Sequence, residues 1–208
     1  MAERSWTTIG TPVGHVSVAC SGTGVTAVRF GSPPQQADGS AGGLAGGSAH
    51  DQAGPAATAR HSAAASLSAA AGLQLAEYFS GQRRAFELPL DWTAASRLQL
   101  HVLGELFDSV AFGETITYGR LAGLAASRAD GVAVSARAIG QLMGSNPIPI
   151  IVPCHRVVAA DGLGGYSGGT GIEIKRWLLI FEGAVPPTLD WTPAGTSHLD
   201  GPAGQQDR

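Results

Sequence analysis

The chain has 208 residues, 44% of them hydrophobic and 14% charged, with 30 glycines and a formal net charge of −3. That is enough for one large domain or two small ones with a proper core, no apolar run approaches the ~20 residues of a membrane span, and the mild negative charge argues against a generic nucleic-acid coat. The start, Met1-Ala2-Glu3-Arg4-Ser5-Trp6, lacks a signal peptide's basic and apolar stretches, and two distant cysteines give no disulfide framework, so a cytoplasmic setting without membrane contact is expected.

In chain order, residues 5–30 read as strands. Trp6, Thr8, Val16, Val18 and Cys20 fall on alternating positions around a turn at 10–14, and a third strand covers 25–30 after Ser21-Gly22-Thr23-Gly24. Cys20 reads as packing. From 31 to about 60 the chain is Gly, Ala, Ser, Pro and Gln, which cannot bury enough apolar surface to offset ordering entropy, so a disordered insertion is expected. A helix is predicted over 63–79 with Leu67, Ala71, Leu75, Tyr78 and Phe79 on one side and Gly81 closing it. Residues 86–90 read as a short extended link.

The second half reads as helical. Ser96 caps a helix to about 110, with Leu98, Val102, Leu106 and Val110 facing inward. Thr117 caps a short helix over 118–126, and Ser135 caps another over 136–143 that Gly144 ends. Two short helices across a turn outline a helix-turn-helix. A last helix spans 171–182, bearing Ile174, Trp177, Leu178 and Phe181, and from Pro186 onward a frayed tail is expected. Domain bounds are placed at 1–92, 93–185 and 186–208.

One run carries chemistry: Asn146-Pro147-Ile148-Pro149-Ile150-Ile151-Val152-Pro153-Cys154-His155-Arg156-Val157. Three prolines make a regular strand or helix unfavourable there. A cysteine beside a histidine and an arginine is a candidate nucleophile, because neighbouring cations favour the thiolate. His155, if the segment is extended, points away from Cys154. Residues 115–160 hold four arginines (Arg120, Arg128, Arg137, Arg156) against one acid, Asp130, compatible with a small phosphate footprint that includes Arg137 and Arg156. There is no Cys-x-x-Cys or His-x-x-x-His, so no metal is expected. From the residues alone, Cys154 could still be an ordinary buried cysteine, Glu182 a helix end, Arg137 a solvated side chain, and Tyr118 and Tyr166 core aromatics.

Pro153-Cys154-His155-Arg156, after Asn146-Pro147 and before Gly165-Tyr166-Ser167-Gly168-Gly169, resembles the active-site region of the O6-alkylguanine-DNA alkyltransferases, over about residues 98–183 and weakly before. The resemblance implies an α+β chain: a small N-terminal α/β (ribonuclease H-like) unit, then a helical winged-helix-like DNA-binding unit carrying the cysteine. It implies a single-turnover repair transferase that moves an alkyl group from O6-alkylguanine in double-stranded DNA, and less firmly from O4-alkylthymine, to Cys154. His155 would take the thiol proton through a water, Glu182 would orient His155, and Tyr118 would contact the flipped base and donate to its N3. Tyr166 would wall the pocket, Ser167 and Val157 would offer backbone contacts, and Pro149 and Asn146 would complete it. Arg137 would enter the duplex, with Ala136, Ala138 and Gly140 letting the helix approach the minor groove. A monomer without cofactor is expected. Some relatives carry zinc, which Cys20 alone cannot bind. The chain departs from the family at 127–131 and 170–171, which leaves the pocket rim and the accepted alkyl groups open. Two rivals are a lesion sensor without transfer and a Cys-His hydrolase.

Overall fold

The computed structural model describes residues 4–33, 55–128, 134–169 and 171–187. Strands β1 (Ser5–Thr11), β2 (Gly14–Cys20) and β3 (Val25–Phe30) form an antiparallel meander in that order. The first turn is tighter than expected: Gly10 and Thr11 stay in β1, and the chain reverses at Pro12-Val13. Pairing of Thr7 with Val18 and of Ile9 with Val16 puts these residues on one face, because ladder partners share a face. Trp6 and Thr8 therefore lie on the other.

Helix α1 (Pro55–Phe79) packs against β1 and β2. It starts earlier than the expected residue 63, so 55–60 belong to the helix and not to a disordered insertion. Proline at the first helical position and the alanines that follow explain the extension. The remainder of that insertion, 34–54, lies outside the described residues. On α1 a Cβ at Gly72 would lie 2.7 Å from Thr7 Cγ2, so glycine sets the close helix–strand approach.

The outer edge of β3 is covered, not left open. Val25 N–H donates to the Pro89 carbonyl (2.8 Å), Asp91 N–H to the Val25 carbonyl (2.9 Å), and Val28 N–H to the Pro147 carbonyl (2.9 Å). The expected extended link thus lies along β3, and the N-terminal sheet holds the start of the cysteine segment.

Helix α2 (Arg97–Ser109) begins with a capping box between Ser96 and Gln99. Val102, Leu103 and Leu106 are buried, but Leu98, expected inward, is 39% exposed because it sits in the first turn beyond the reach of its neighbours. Helices α3 (Tyr118–Arg128) and α4 (Ala136–Gly144) pack on α2 and on each other. Thr117 Oγ1 accepts from Arg120 N–H and Ser135 Oγ from Ala138 N–H, both at 3.2 Å, the capping expected for both. This half is not all-helical: β4 (Ile116–Thr117) pairs in parallel with β5 (Val157–Val158), tying the start of α3 to the chain leaving Cys154. Helix α5 (Ile172–Phe181) buries Ile174, Lys175, Leu178 and Leu179. The core runs through both halves, with Leu75, Leu103, Leu121, Ile139 and Leu178 fully buried, each contributing roughly 1.5–3 kcal/mol by transfer from water. Residues 129–133, 170 and the tail from 188 lie outside the described residues.

Candidate active site

The proline-rich segment is held by Asn146. Its Oδ1 accepts from Ile148 N–H (3.0 Å) and its Nδ2 donates to the Val152 carbonyl (2.9 Å), closing a loop around residues 148–152. Inside that loop Ile150 has φ +75°, a conformation a β-branched side chain adopts at a cost of roughly 1–3 kcal/mol. The strain fits a segment shaped for presentation and held by its surroundings. It ends in a 3-10 turn, Cys154–Arg156, so Cys154 and His155 project about a third of a turn apart, not to opposite sides as an extended segment would require.

Glu182, the C-cap of α5, is where the chain converges. Its Oε1 accepts from the Tyr78 hydroxyl (2.6 Å), from His155 Nε2 (2.9 Å) and from Arg156 Nη2 (3.0 Å). Its Oε2 accepts from Arg156 Nε (2.9 Å) and, more distantly, from Gly113 N–H (3.5 Å). Burial alone would raise its pKa, but the His155 hydrogen bond, then the Arg156 hydrogen bonds and charge, pull it from 4.5 down to about 2. An ionised carboxylate only accepts, so His155 Nε2 carries the proton and Nδ1 bears the lone pair. Nδ1 is buried and has no protein partner. Burial lowers the His155 pKa, Glu182 opposes it, and the Arg156 and Lys175 charges lower it further. A neutral imidazole with a free lone pair is a base.

Burial raises the Cys154 pKa, against which the Asn146 hydrogen bond, the Lys175 charge and Tyr166 all favour the thiolate. Lys175, buried on α5, donates from Nζ to the Val157 carbonyl (2.6 Å) and the Gly165 carbonyl (3.1 Å), and lies 5.7 Å from the Tyr118 ring centroid. Its pKa falls to about 8 through burial, with Cys154 pulling the other way. Cys20, by contrast, is fully buried and pushed up to about 11 by burial alone, an inert thiol as expected.

Cys154 forms part of the wall of a cavity of about 600 Å³ between α4 and the 165–167 loop. Tyr118, Ala136, Arg137, Gly140, Tyr166 and Ser167 line it. The Tyr118 hydroxyl donates to the Gly165 carbonyl (3.2 Å), Ser167 Oγ to the Gly144 carbonyl (2.9 Å). Burial, then the adjacent Cys154, raise the pKa of the Tyr166 hydroxyl. Glycine is required at 164, where φ is +68° and a Cβ would sit 2.9 Å from Tyr118 Cε2. The glycine pairs flanking Tyr166 therefore admit aromatic side chains of the chain itself: Gly168 lies equally tight against Tyr166 and Phe30.

Not every expected residue arrives there. Arg156, expected at DNA, is buried, with Nε and Nη2 on Glu182 and Nη1 on the Val110 carbonyl (2.7 Å); a buried guanidinium needs such partners and cannot also reach a phosphate. Ala138 packs toward the core, because it follows the cap on the inner side of α4. Val157 is fully buried with its carbonyl on Lys175 and lines neither this cavity nor its neighbour. Pro149 and Asn146 line a second, adjoining cavity. Lys175 was not singled out from the sequence, although a lysine beside Ile174 in an apolar stripe is the readable signal. Tyr78 was read as packing only; its hydroxyl partner lies 104 positions away.

Two family models match: the 6-O-methylguanine DNA methyltransferase ribonuclease-like domain over residues 5–92 and the DNA binding domain of the same name over 98–184. A crystal structure of Mycobacterium tuberculosis OGT in complex with DNA superimposes with a TM-score of 0.60 at 33% identity, covering 85% of this chain and 92% of that one. The chain belongs to the 6-O-methylguanine DNA methyltransferase family. Among curated relatives, the methylated-DNA--protein-cysteine methyltransferase of Mus musculus is 53% identical over 83 residues, 39% of this chain and 36% of that protein. The DNA base-flipping protein of Thermus thermophilus is 42% identical over 110 residues, 52% of this chain and 68% of that protein. The match to the mouse relative spans little more than a third of its length.

In this methyltransferase-family chain the Glu182–His155 pair makes stability acid-labile. Both groups have pKa values depressed by folding, so the stability they supply is present above the unfolded values, 6.5 and 4.5, and is lost as pH falls through the folded ones. The urea midpoint is expected to fall below pH 6.5, where only the unfolded His155 takes up a proton readily, and again between pH 4.5 and about 2, the window of Glu182. A flat midpoint over those ranges contradicts the assignment.

Proposed function

We propose that this protein repairs alkylated DNA by direct reversal, moving the alkyl group of an O6-alkylguanine in duplex DNA to the Cys154 sulfur. The observation that carries the reading is a buried thiol in the wall of a cavity that the first turn of α4, with the exposed Arg137, also lines. A stacked base cannot reach a buried sulfur, so the nucleotide must leave the duplex. Arg137 fills the gap it leaves, while Ala136 and Gly140 present little bulk to the groove. Tyr118 and Tyr166 flank the extruded base.

His155 Nδ1 takes the Cys154 proton through one water, and Glu182 stabilises the imidazolium that forms. The sulfur bonds to the alkyl carbon as the carbon–O6 bond breaks, and the electron pair stays on guanine. Tyr118, whose pKa is raised by burial and then by Cys154, keeps its proton and donates to the departing base. The thioether is stable, so each molecule acts once. All the groups come from one chain, which is consistent with a monomer, and the two units are taken as domains parting near residue 92. The family resemblance adds O4-alkylthymine as a second candidate substrate.

Intact mass and peptide mapping, after mixing with a stoichiometric duplex containing one O6-methylguanine, test this directly. One methyl on the Cys154 peptide, ending after one equivalent and absent in Cys154→Ala, is the expected result. In Arg137→Ala, transfer from duplex is expected to slow about 10–100-fold, in keeping with the few kcal/mol of base extrusion, while transfer from the free base O6-benzylguanine is unchanged. Tight lesion binding without any mass gain would instead make the protein a sensor.

A further inference from the structure

The second cavity, about 440 Å³, reaches Cys154 from the β3 side and is lined by Arg29, Phe30, Ser32, Asn146, Pro149 and Gly169 among others. No acidic residue lines it. Asn146 commits its side chain to Ile148, Val152 and the Cys154 sulfur, and Ser167 commits its hydroxyl to Gly144. Arg29 and Ser32 remain. Both are exposed, and neither side chain has a hydrogen bond or ion pair among the described residues. The cavity therefore begins at the nucleophile and ends at an unopposed guanidinium beside a hydroxyl.

A methyl group needs no such space. We infer that Arg29 makes this cavity selective for longer alkyl groups that end in a carboxylate. A carboxylate entering a partly enclosed cavity loses water, and the loss is offset when a guanidinium grips both oxygens. Ser32 adds a hydroxyl donor. The chemistry is that of the reaction above, on which this inference rests: the sulfur bonds to the first carbon of the carboxyalkyl group, that carbon's bond to O6 breaks, guanine keeps the electron pair and takes up a proton from water, and the thiol proton passes to His155. Nothing is oxidised or reduced.

The test uses three duplexes, carrying O6-methyl-, O6-butyl- or O6-(3-carboxypropyl)guanine, in single-turnover transfer. The full chain is expected to take the carboxypropyl group about tenfold faster than the butyl group of similar length, the step one charge-assisted contact supplies. Arg29→Leu is expected to erase that ratio and leave the methyl and butyl rates as they were; Arg29→Lys retains part of it. Equal rates on butyl and carboxypropyl in the unmodified chain overturn the inference. So does transfer of methyl with both longer groups inert. An equal loss on all three in Arg29→Leu also overturns it and makes Arg29 a phosphate contact. Absence of methyl transfer in the unmodified chain overturns the transferase reading itself, and this inference with it.

Discussion

Glu182→Gln is expected to lower stability by about 3–5 kcal/mol, because it leaves the buried Arg156 guanidinium without its counter-charge. Tyr78, His155 and Arg156 all donate to this carboxylate at 2.6–3.0 Å, so a neutral amide weakens several hydrogen bonds at once. The transfer rate should drop at least ~100-fold, the scale of losing general-base action. The sign is clear: with the carboxylate gone, Arg156 and Lys175 still depress the His155 pKa, and nothing remains to hold the imidazolium. Urea unfolding and single-turnover transfer read the two effects separately. The double variant Glu182→Gln/Arg156→Met sharpens the test, since it removes the orphan charge as well. It should recover much of the stability and none of the rate. A single variant that loses less than about 1 kcal/mol, or a double variant that regains activity, would sink this account of the network.

Lys175→Met is expected to slow transfer at neutral pH by roughly tenfold to a hundredfold, because a nearby ammonium favours the thiolate over the thiol. The lysine is buried, and its charge is one of the influences favouring the Cys154 thiolate. A purely structural lysine would lower the rate equally at every pH. An electrostatic one shifts the profile: the Met variant should recover progressively as pH rises and the thiol ionises without the lysine's help. In the unmodified chain the lysine loses its own proton near pH 8, so the benefit of its charge should fade above that value. A parallel loss at all pH values, with no recovery at high pH, would reduce Lys175 to a strut for Val157 and Gly165.

Arg156 illustrates how a residue can be noticed and misassigned. Next to Cys154 in the chain, it reads as one of the phosphate-facing arginines, yet its guanidinium is spent on Glu182 and the Val110 carbonyl. Local sequence carries no record of partners 26 and 46 positions away. Arg137 differs because the Ser135 cap fixes its place in the first turn of α4, and a cap is a local signal.

What the sequence determined by itself was whatever depends on neighbours in the chain. The caps at Ser96, Thr117 and Ser135, the period of α2 and α5, the three short strands, and the proline-framed Cys154-His155 pair were all legible, because propensity, capping and periodicity act within a turn or two. Tertiary structure alone decided the rest. It brought Tyr78 from α1 and Arg156 from the cysteine turn onto one carboxylate, buried Lys175 near the thiol, and bound Pro147 to β3. It also opened a second cavity onto Cys154 between β3 and the 166–169 loop. The reason is physical: a buried charge is set by the partners that compensate it, and those partners are chosen by packing across the whole chain.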